Sequence, residues 1–181
     1  MSGHVVVVLF TGGQVGRVNR FVAEAGAAGV AVTVLTAEGG QAWKRGNRIE
    51  GAAAVHSIGR AENRQPLVWL YLACIERGPG IVLDRAAKRV PGLPGRAFGK
   101  LASLHRKVAK VIRRRVFWPV YRLVRPQALR AIARRRTGPL DLDGADRVVI
   151  VDNAAVPFGW GLTRRRPGLR VTRRLDSFSA D

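Results

Sequence analysis

His4–Phe21 reads HVVVVLFTGGQVGRVNRF: an apolar block, a glycine cluster and a patterned segment in unbroken succession. Val5 to Phe10 is continuously apolar and rich in β-branched residues, which suits a strand covered on both faces. From Gln14 onward Val15, Val18, Phe21, Val22 and Ala25 recur every three or four positions, which is one face of a helix. Gly26 weakens that helix and Gly29 closes it. Ala31 to Leu35 is a second short apolar run. Strand, helix and strand in this order make a βαβ unit, because parallel strands need a crossover of about this length.

The turn Thr11-Gly12-Gly13-Gln14-Val15-Gly16 sits where such a unit binds ligands. A dinucleotide fingerprint is Gly-x-Gly-x-x-Gly, with glycines for the tight turn, the pyrophosphate approach and close helix packing. Gly13 and Gly16 match its second and third glycines, and Thr11 stands at the first. Glu38 lies 22 residues beyond Gly16, about where a ribose-binding acid falls, although Gly39-Gly40 also mark the opening of a loop. The turn lacks the Gly-Lys-Ser/Thr of a Walker A motif. Tyr71 and Tyr121 are followed four residues on by Ile75 and Arg125, so neither makes a Tyr-x-x-x-Lys pair. Two readings remain: backbone N–H groups at a helix start that take an anion or a sugar hydroxyl, or glycines that only let helix and strand approach.

The chain has 181 residues, 47% of them hydrophobic, enough for one domain with a real core. No apolar run approaches the length of a membrane span, and MSGHVVVVLF has no basic n-region, so neither a transmembrane helix nor a signal peptide is expected. A single cysteine, Cys74, excludes an internal disulfide and reads as a small core residue in a reducing compartment. Against 12 acidic residues stand 32 basic ones, a formal charge of +20, which favours polyanionic partners. His4, His56 and His105 are far apart and none has metal-ligand spacing, so no metal site is expected. Ser57 lacks a nucleophile elbow.

Further along, EGGQAWKRGNRIE (Glu38–Glu50) reads as loop, with Trp43 its one large apolar residue. Ala52 to Ile58 fits a third strand. QPLVWLYLACIERG reads as a helix opened by Pro66 and stopped by Gly78-Pro79. VPGLPG (Val90–Gly95) reads as a hinge. Arg96 to Arg136 then carries 14 Lys/Arg residues and no acid. Within it Phe98, Leu101, Leu104, Val108, Val111 and Ile112 form an apolar stripe. Lys100, Arg106, Lys107, Lys110, Arg113 and Arg114 take the other side, with Arg115 following. Trp118-Pro119 interrupts the pattern and Pro126 opens a second amphipathic piece. Strand-like sequence resumes in GADRVVIVD, followed by a short helix in NAAVPFGWGLTRRRPG and a last strand in LRVTRRLD. The whole predicts a single α/β domain over residues 1–181: a Rossmann-like, mostly parallel sheet with helices on both faces and a basic helical insertion at about 96–136.

The combination of the glycine turn, the helix VNRFVAEAGAAGVAVTVLTA and the strand ending ADRVVIVD resembles the N-terminal, acceptor-side half of a GT-B glycosyltransferase, over most of residues 4–60 and 144–176. The resemblance implies that Gly12 and Gly13 lie at an interdomain cleft. It also implies that Asp152, Asn153 and Asp176 sit at strand ends facing that cleft as ligand-binding residues. In that family a second domain, with an acidic pair near a Glu-x(7)-Glu motif, holds most of the nucleotide sugar. Nothing in this sequence matches that motif, so a donor-binding partner half, or a homo-oligomer, is expected, and no catalytic residue is assigned. From the residues alone, Asp152 and Asn153 fit a helix N-cap equally well.

The basic stretch points to a surface. An amphipathic helix with Lys and Arg opposite apolar residues lies naturally in a membrane interface, with Phe117, Trp118 and Tyr121 at headgroup level. Phosphates of nucleic acid are the competing target for Arg113–Arg115 and Arg134–Arg136, though no helix-turn-helix or RNA-binding aromatic motif accompanies them. The third possibility is an apolar stripe that packs on the sheet under a solvated basic face. The leading expectation is a cytoplasmic, glycosyltransferase-like protein peripheral to the inner membrane face, needing no cofactor. A non-catalytic polyanion binder and a nicotinamide-dependent reductase are the alternatives.

Overall fold

The computed structural model describes residues 3–40, 43, 46–51, 54–89 and 93–175. The chain divides into two compact units, one built from Met1–Asn63 with Arg125–Asp181 and the other from Arg64–Val124. The first is a Rossmann-like α/β unit. Its five strands are β1 (His4–Leu9), β2 (Ala31–Thr36), β3 (Ala54–Ser57), β4 (Arg147–Ile150) and β5 (Arg170–Thr172). They lie in the order β3-β2-β1-β4-β5 and every neighbouring pair is parallel. Val7, at the centre of β1, pairs with Val34 of β2 on one side and Val149 of β4 on the other.

The central strand explains why the sequence opens on an uninterrupted apolar block. Val6, Val8 and Phe10 face one side of the sheet and pack with Leu35, Ile58, Ile150, Leu129, Ala133, Phe158 and Leu162. Val5, Val7 and Leu9 face the other side and pack with Val15, Val18, Phe21, Val22 and Ala25 of α1 (Val15–Ala27). A strand buried on both faces leaves no position for a polar residue, and each buried valine contributes about 1.5–3 kcal/mol. Helices therefore cover both faces of the sheet, as expected.

The connection from β3 to β4 is longer than the basic stretch at 96–136. It begins with α2 (Gly59–Asn63) and continues through α3 (Pro66–Tyr71), α4 (Gly78–Arg89), α5 (Leu93–Ile112) and α6 (Trp118–Arg134). Leu129 and Ala133, late in the basic stretch, are core residues of the sheet unit. Val90 to Gly92 of the expected hinge lie outside the described residues, and α5 begins at Leu93.

Two sequence expectations fail here for one physical reason. Gly78-Pro79 does not stop the helix and Trp118-Pro119 does not interrupt it. Instead α4 begins at Gly78 directly after a π-helical turn over Leu72–Arg77, and α6 begins at Trp118 after a π-helical turn over Arg113–Phe117. Proline lacks an N–H and clashes with the carbonyl four residues back. A wider i→i+5 turn just before the ring shifts the hydrogen-bond register, so each proline occupies a first turn where no N–H is required. Pro126 does not open a new piece either; it lies inside α6. Cys74, in the first π-helical turn, is exposed rather than a core residue.

Candidate functional site

Parallel sheets of this kind present ligands at the carboxyl ends of their strands. Three loops meet at that edge: Phe10–Gln14 after β1, Ala37–Gly51 after β2 and Ile58–Asn63 after β3. A fourth, after β4, starts at Asp152.

Asp152 is buried, and its carboxylate is fully engaged. Oδ2 accepts from the backbone N–H of Phe10 at 2.8 Å and of Thr11 at 2.6 Å, and from the Thr11 hydroxyl at 3.0 Å. Oδ1 accepts from the Ala155 N–H at 2.9 Å, capping the short 3-10 turn Asn153–Ala155 that leads into α7 (Val156–Arg165). Of the two roles open at the sequence level, the cap is the one observed, and the same group also ties the β4 turn to the glycine turn. Asn153 is exposed, and its side-chain oxygen accepts from Arg173 Nη2 at 2.6 Å. Asp176 lies outside the described residues.

The glycine turn opens away from Asp152. Gly12 is buried; Gly13 and Gly16 are exposed, with empty space where a Cβ would stand. The Gly12 carbonyl accepts from the Asn47 side-chain amide at 2.6 Å, while Asn47's own carbonyl accepts from the Trp43 indole N–H at 2.8 Å. Asn19 on α1 donates to the Arg48 carbonyl at 3.1 Å and accepts from the Glu50 N–H at 3.1 Å. The Asn47 amide thus fastens the loop after β2 against the glycine turn, and the two Asn19 bonds fasten it against α1. Gly46, with φ of 92°, supplies the left-handed backbone that the bend needs.

Two adjoining depressions result. One, of about 410 Å³, runs over Gly12, Gly13 and Gly16 to Asn47 and Glu50. The other, of about 800 Å³, is lined by Glu38, Trp43, Asn47, Arg48, Ser57, Arg60 and Arg136. Gly46, Asn47 and Arg48 border both, so we describe them as one groove at the ends of β1, β2 and β3. Beneath it, a Cβ on Gly59 would run into the Glu38 carbonyl, so the glycine is required for the two loops to close on each other. Glu62 of α2 and Arg125 of α6 form a buried ion pair at 2.7 Å, and Arg125 also donates to the Phe10 carbonyl at 3.0 Å.

The structure thus brings Gly12 and Gly13 into a groove with Trp43, Asn47, Arg48 and Arg60, to which the sequence reading gave no binding role, and with Arg136, which it considered only for nucleic-acid phosphates. Their signal was faint but present, since Glu38–Glu50 is a charged, glycine-rich loop carrying one tryptophan. Asp152 and Asn153 stand beside the glycine turn as bonded scaffold rather than in the groove lining.

The second unit carries the residues expected at a membrane or polyanion surface. Lys100, Arg106, Lys107 and Lys110 on α5 are exposed, as are Arg114 and Arg115, while Arg113 and Trp118 are half-buried. Leu101, Leu104, Val108 and Val111 of the apolar stripe are also exposed, as are Val116, Val120 and Leu123, the last at 81%. These side chains of the stripe therefore stand in solvent rather than in a core. Tyr121 is buried, its ring stacked on Phe117 at 5.3 Å, and Phe117 in turn stacks on Tyr71 at 3.9 Å. Tyr121 is thus a core residue of a ring stack, not a headgroup anchor. Among the described residues no helix is long and apolar enough to cross a membrane.

The fold and this edge define the chain's class: a Rossmann-like α/β protein with a parallel five-stranded sheet and an open, arginine-lined groove at its carboxyl edge. No protein-family model matches the chain, and no curated protein or solved structure matches it.

Proposed function

We propose that this chain is the acceptor-binding half of a GT-B-type glycosyltransferase acting at an anionic membrane surface, together with a donor-binding half. The observation that carries the reading is the groove over Gly12 and Gly13 at the ends of β1–β3. It is open to solvent, polar in its fittings and held by a rigid sheet, as a site that must orient an acceptor hydroxyl requires. The chain's part in transfer is to bind and orient; the donor half supplies the nucleotide-sugar contacts.

The exposed stripe of α5 supports the membrane element of the proposal. Apolar side chains left in water beside lysines and arginines suit an anionic lipid interface, where the apolar row enters the acyl boundary and the cations meet headgroup phosphates. Nucleic acid would use the cations and leave Leu101, Leu104 and Leu123 unsatisfied.

The test uses a cell extract and membranes from the source organism lacking this chain, supplied with radiolabelled nucleotide sugars. Adding the chain should restore a labelled glycolipid or glycan. Gly13→Trp should abolish the labelling while leaving the melting temperature unchanged, because the site of the new Cβ is empty space. Absence of chain-dependent labelling with every donor, together with saturable NADPH binding, would replace the proposal with the reductase reading.

A further inference from the structure

We infer that the larger part of the groove takes a phosphate-bearing, hydroxyl-rich small molecule, its phosphate held by Arg48, Arg60 and Arg136. The inference rests on the reading of the groove as an acceptor site and names the chemistry of that acceptor.

The three arginines reach one cavity from separate places in the chain: the loop after β2, the first turn of α2 and the turn after α6. Among the described residues their side chains make no ion pair or hydrogen bond, whereas the side chains of Arg125, Arg166 and Arg173 of the same unit each hold an internal acceptor. Three arginines around one cavity outnumber its single carboxylate, Glu38, and they offer the forked donors that match phosphate oxygens. A phosphate would offset the remaining positive charge and fill those donors together.

Phosphate alone does not account for Glu38. Its half-buried carboxylate lines the same cavity and has no donor among the described residues. A carboxylate accepts hydrogen bonds and cannot donate them, so beside a bound anion it needs donors on the ligand, and hydroxyl groups supply them. Trp43 has committed its N–H to the Asn47 carbonyl, which leaves its ring to line the cavity against the carbon skeleton of such a ligand.

Calorimetric titration of the full chain with inorganic phosphate, glycerol 1-phosphate, an inositol monophosphate and the unphosphorylated polyols tests this without any donor sugar. At least one phosphorylated polyol should bind saturably and at least tenfold tighter than its unphosphorylated parent. Arg60→Gln with Arg136→Gln should weaken that binding tenfold or more. Glu38→Gln should weaken the phosphorylated polyol but not inorganic phosphate. A parallel arm uses vesicles bearing phosphoinositide headgroups: binding there alone identifies a lipid headgroup, and binding of the soluble compounds identifies a free metabolite. Equal affinity for a polyol and its phosphate, or no response to the paired arginine variant, would overturn the inference. Intact phosphate binding with no sugar transfer would sink only the transferase proposal.

Discussion

Asp152 shows how much a single side chain holds together at this sheet edge. Its two oxygens receive the N–H groups of Phe10, Thr11 and Ala155 and the Thr11 hydroxyl, across a sequence gap of 141 residues to Thr11. Bonds to a buried carboxylate are worth about 1.5–3 kcal/mol each, and orphaned buried donors add a desolvation cost. Asp152→Ala should therefore destabilise the sheet unit by about 3 kcal/mol or more, read as a lowered midpoint in urea unfolding. Asp152→Asn should cost nearly as much, because its amide turns a donor toward the N–H groups of the glycine turn. A change within about 0.5 kcal/mol, the ordinary scale of a surface substitution, would show that the carboxylate is not the tie described. The capping half of this role was legible in VDNAAVPF, where a short polar residue precedes a helical pattern. The tie to Thr11 was not, since no local pattern encodes a contact between loops on neighbouring strands. Arg48 and Arg60 escaped notice for the same reason, and Arg136 was considered only with its neighbours in the basic stretch: each looks like one more arginine among 32 basic residues until the fold gathers them.

At the level of elements, strands were easier to read than helices. β1, β2 and β4 are apolar runs bounded by glycine or acid, and the β-branched block in each leaves little choice of conformation. The helices between β3 and β4 misled because proline and glycine usually end a helix, and π-helical turns that accommodate Pro79 and Pro119 leave no sequence signature. Two features at this scale carry predictions. Glu62 on α2 and Arg125 on α6 are a buried pair, and removing one partner strands a charge, so Glu62→Gln should cost about 3–5 kcal/mol. Replacing both, as Glu62→Leu with Arg125→Met, should recover most of that loss in thermal unfolding. If the double variant is as unstable as the single one, the pair is not what sets the cost. On α5, Lys107 and Lys110 are exposed. Each cation near an anionic leaflet contributes about 1 kcal/mol, so Lys107→Gln with Lys110→Gln should weaken partitioning onto anionic vesicles roughly thirtyfold. Vesicle flotation measures it. Equal flotation of both proteins, or equal binding to neutral vesicles, would remove the membrane from the account.

At the scale of the molecule, the strand order β3-β2-β1-β4-β5 determines where chemistry can occur. The order reverses between β1 and β4, where doubly wound sheets hold their ligands. Here Asp152 ties together the turns after β1 and β4, and the groove described above lies over β1, β2 and β3, where Asn19 and Asn47 have pinned the loop after β2. The parallel α/β class followed from the apolar block, the glycine turn and the helical spacing of Val15, Val18 and Phe21. The position of the groove did not, because it depends on hydrogen bonds between Asn19 of α1, Asn47 and a loop that has no periodicity. The most direct measurement is an amide NMR titration of the full chain with a phosphorylated polyol. Our account predicts shifts concentrated at Gly12, Gly13, Asn47, Arg48 and Arg60, with the opposite sheet edge near Asp146 and Arg170 silent. Shifts centred on that opposite edge, or on the exposed helices alone, would contradict it.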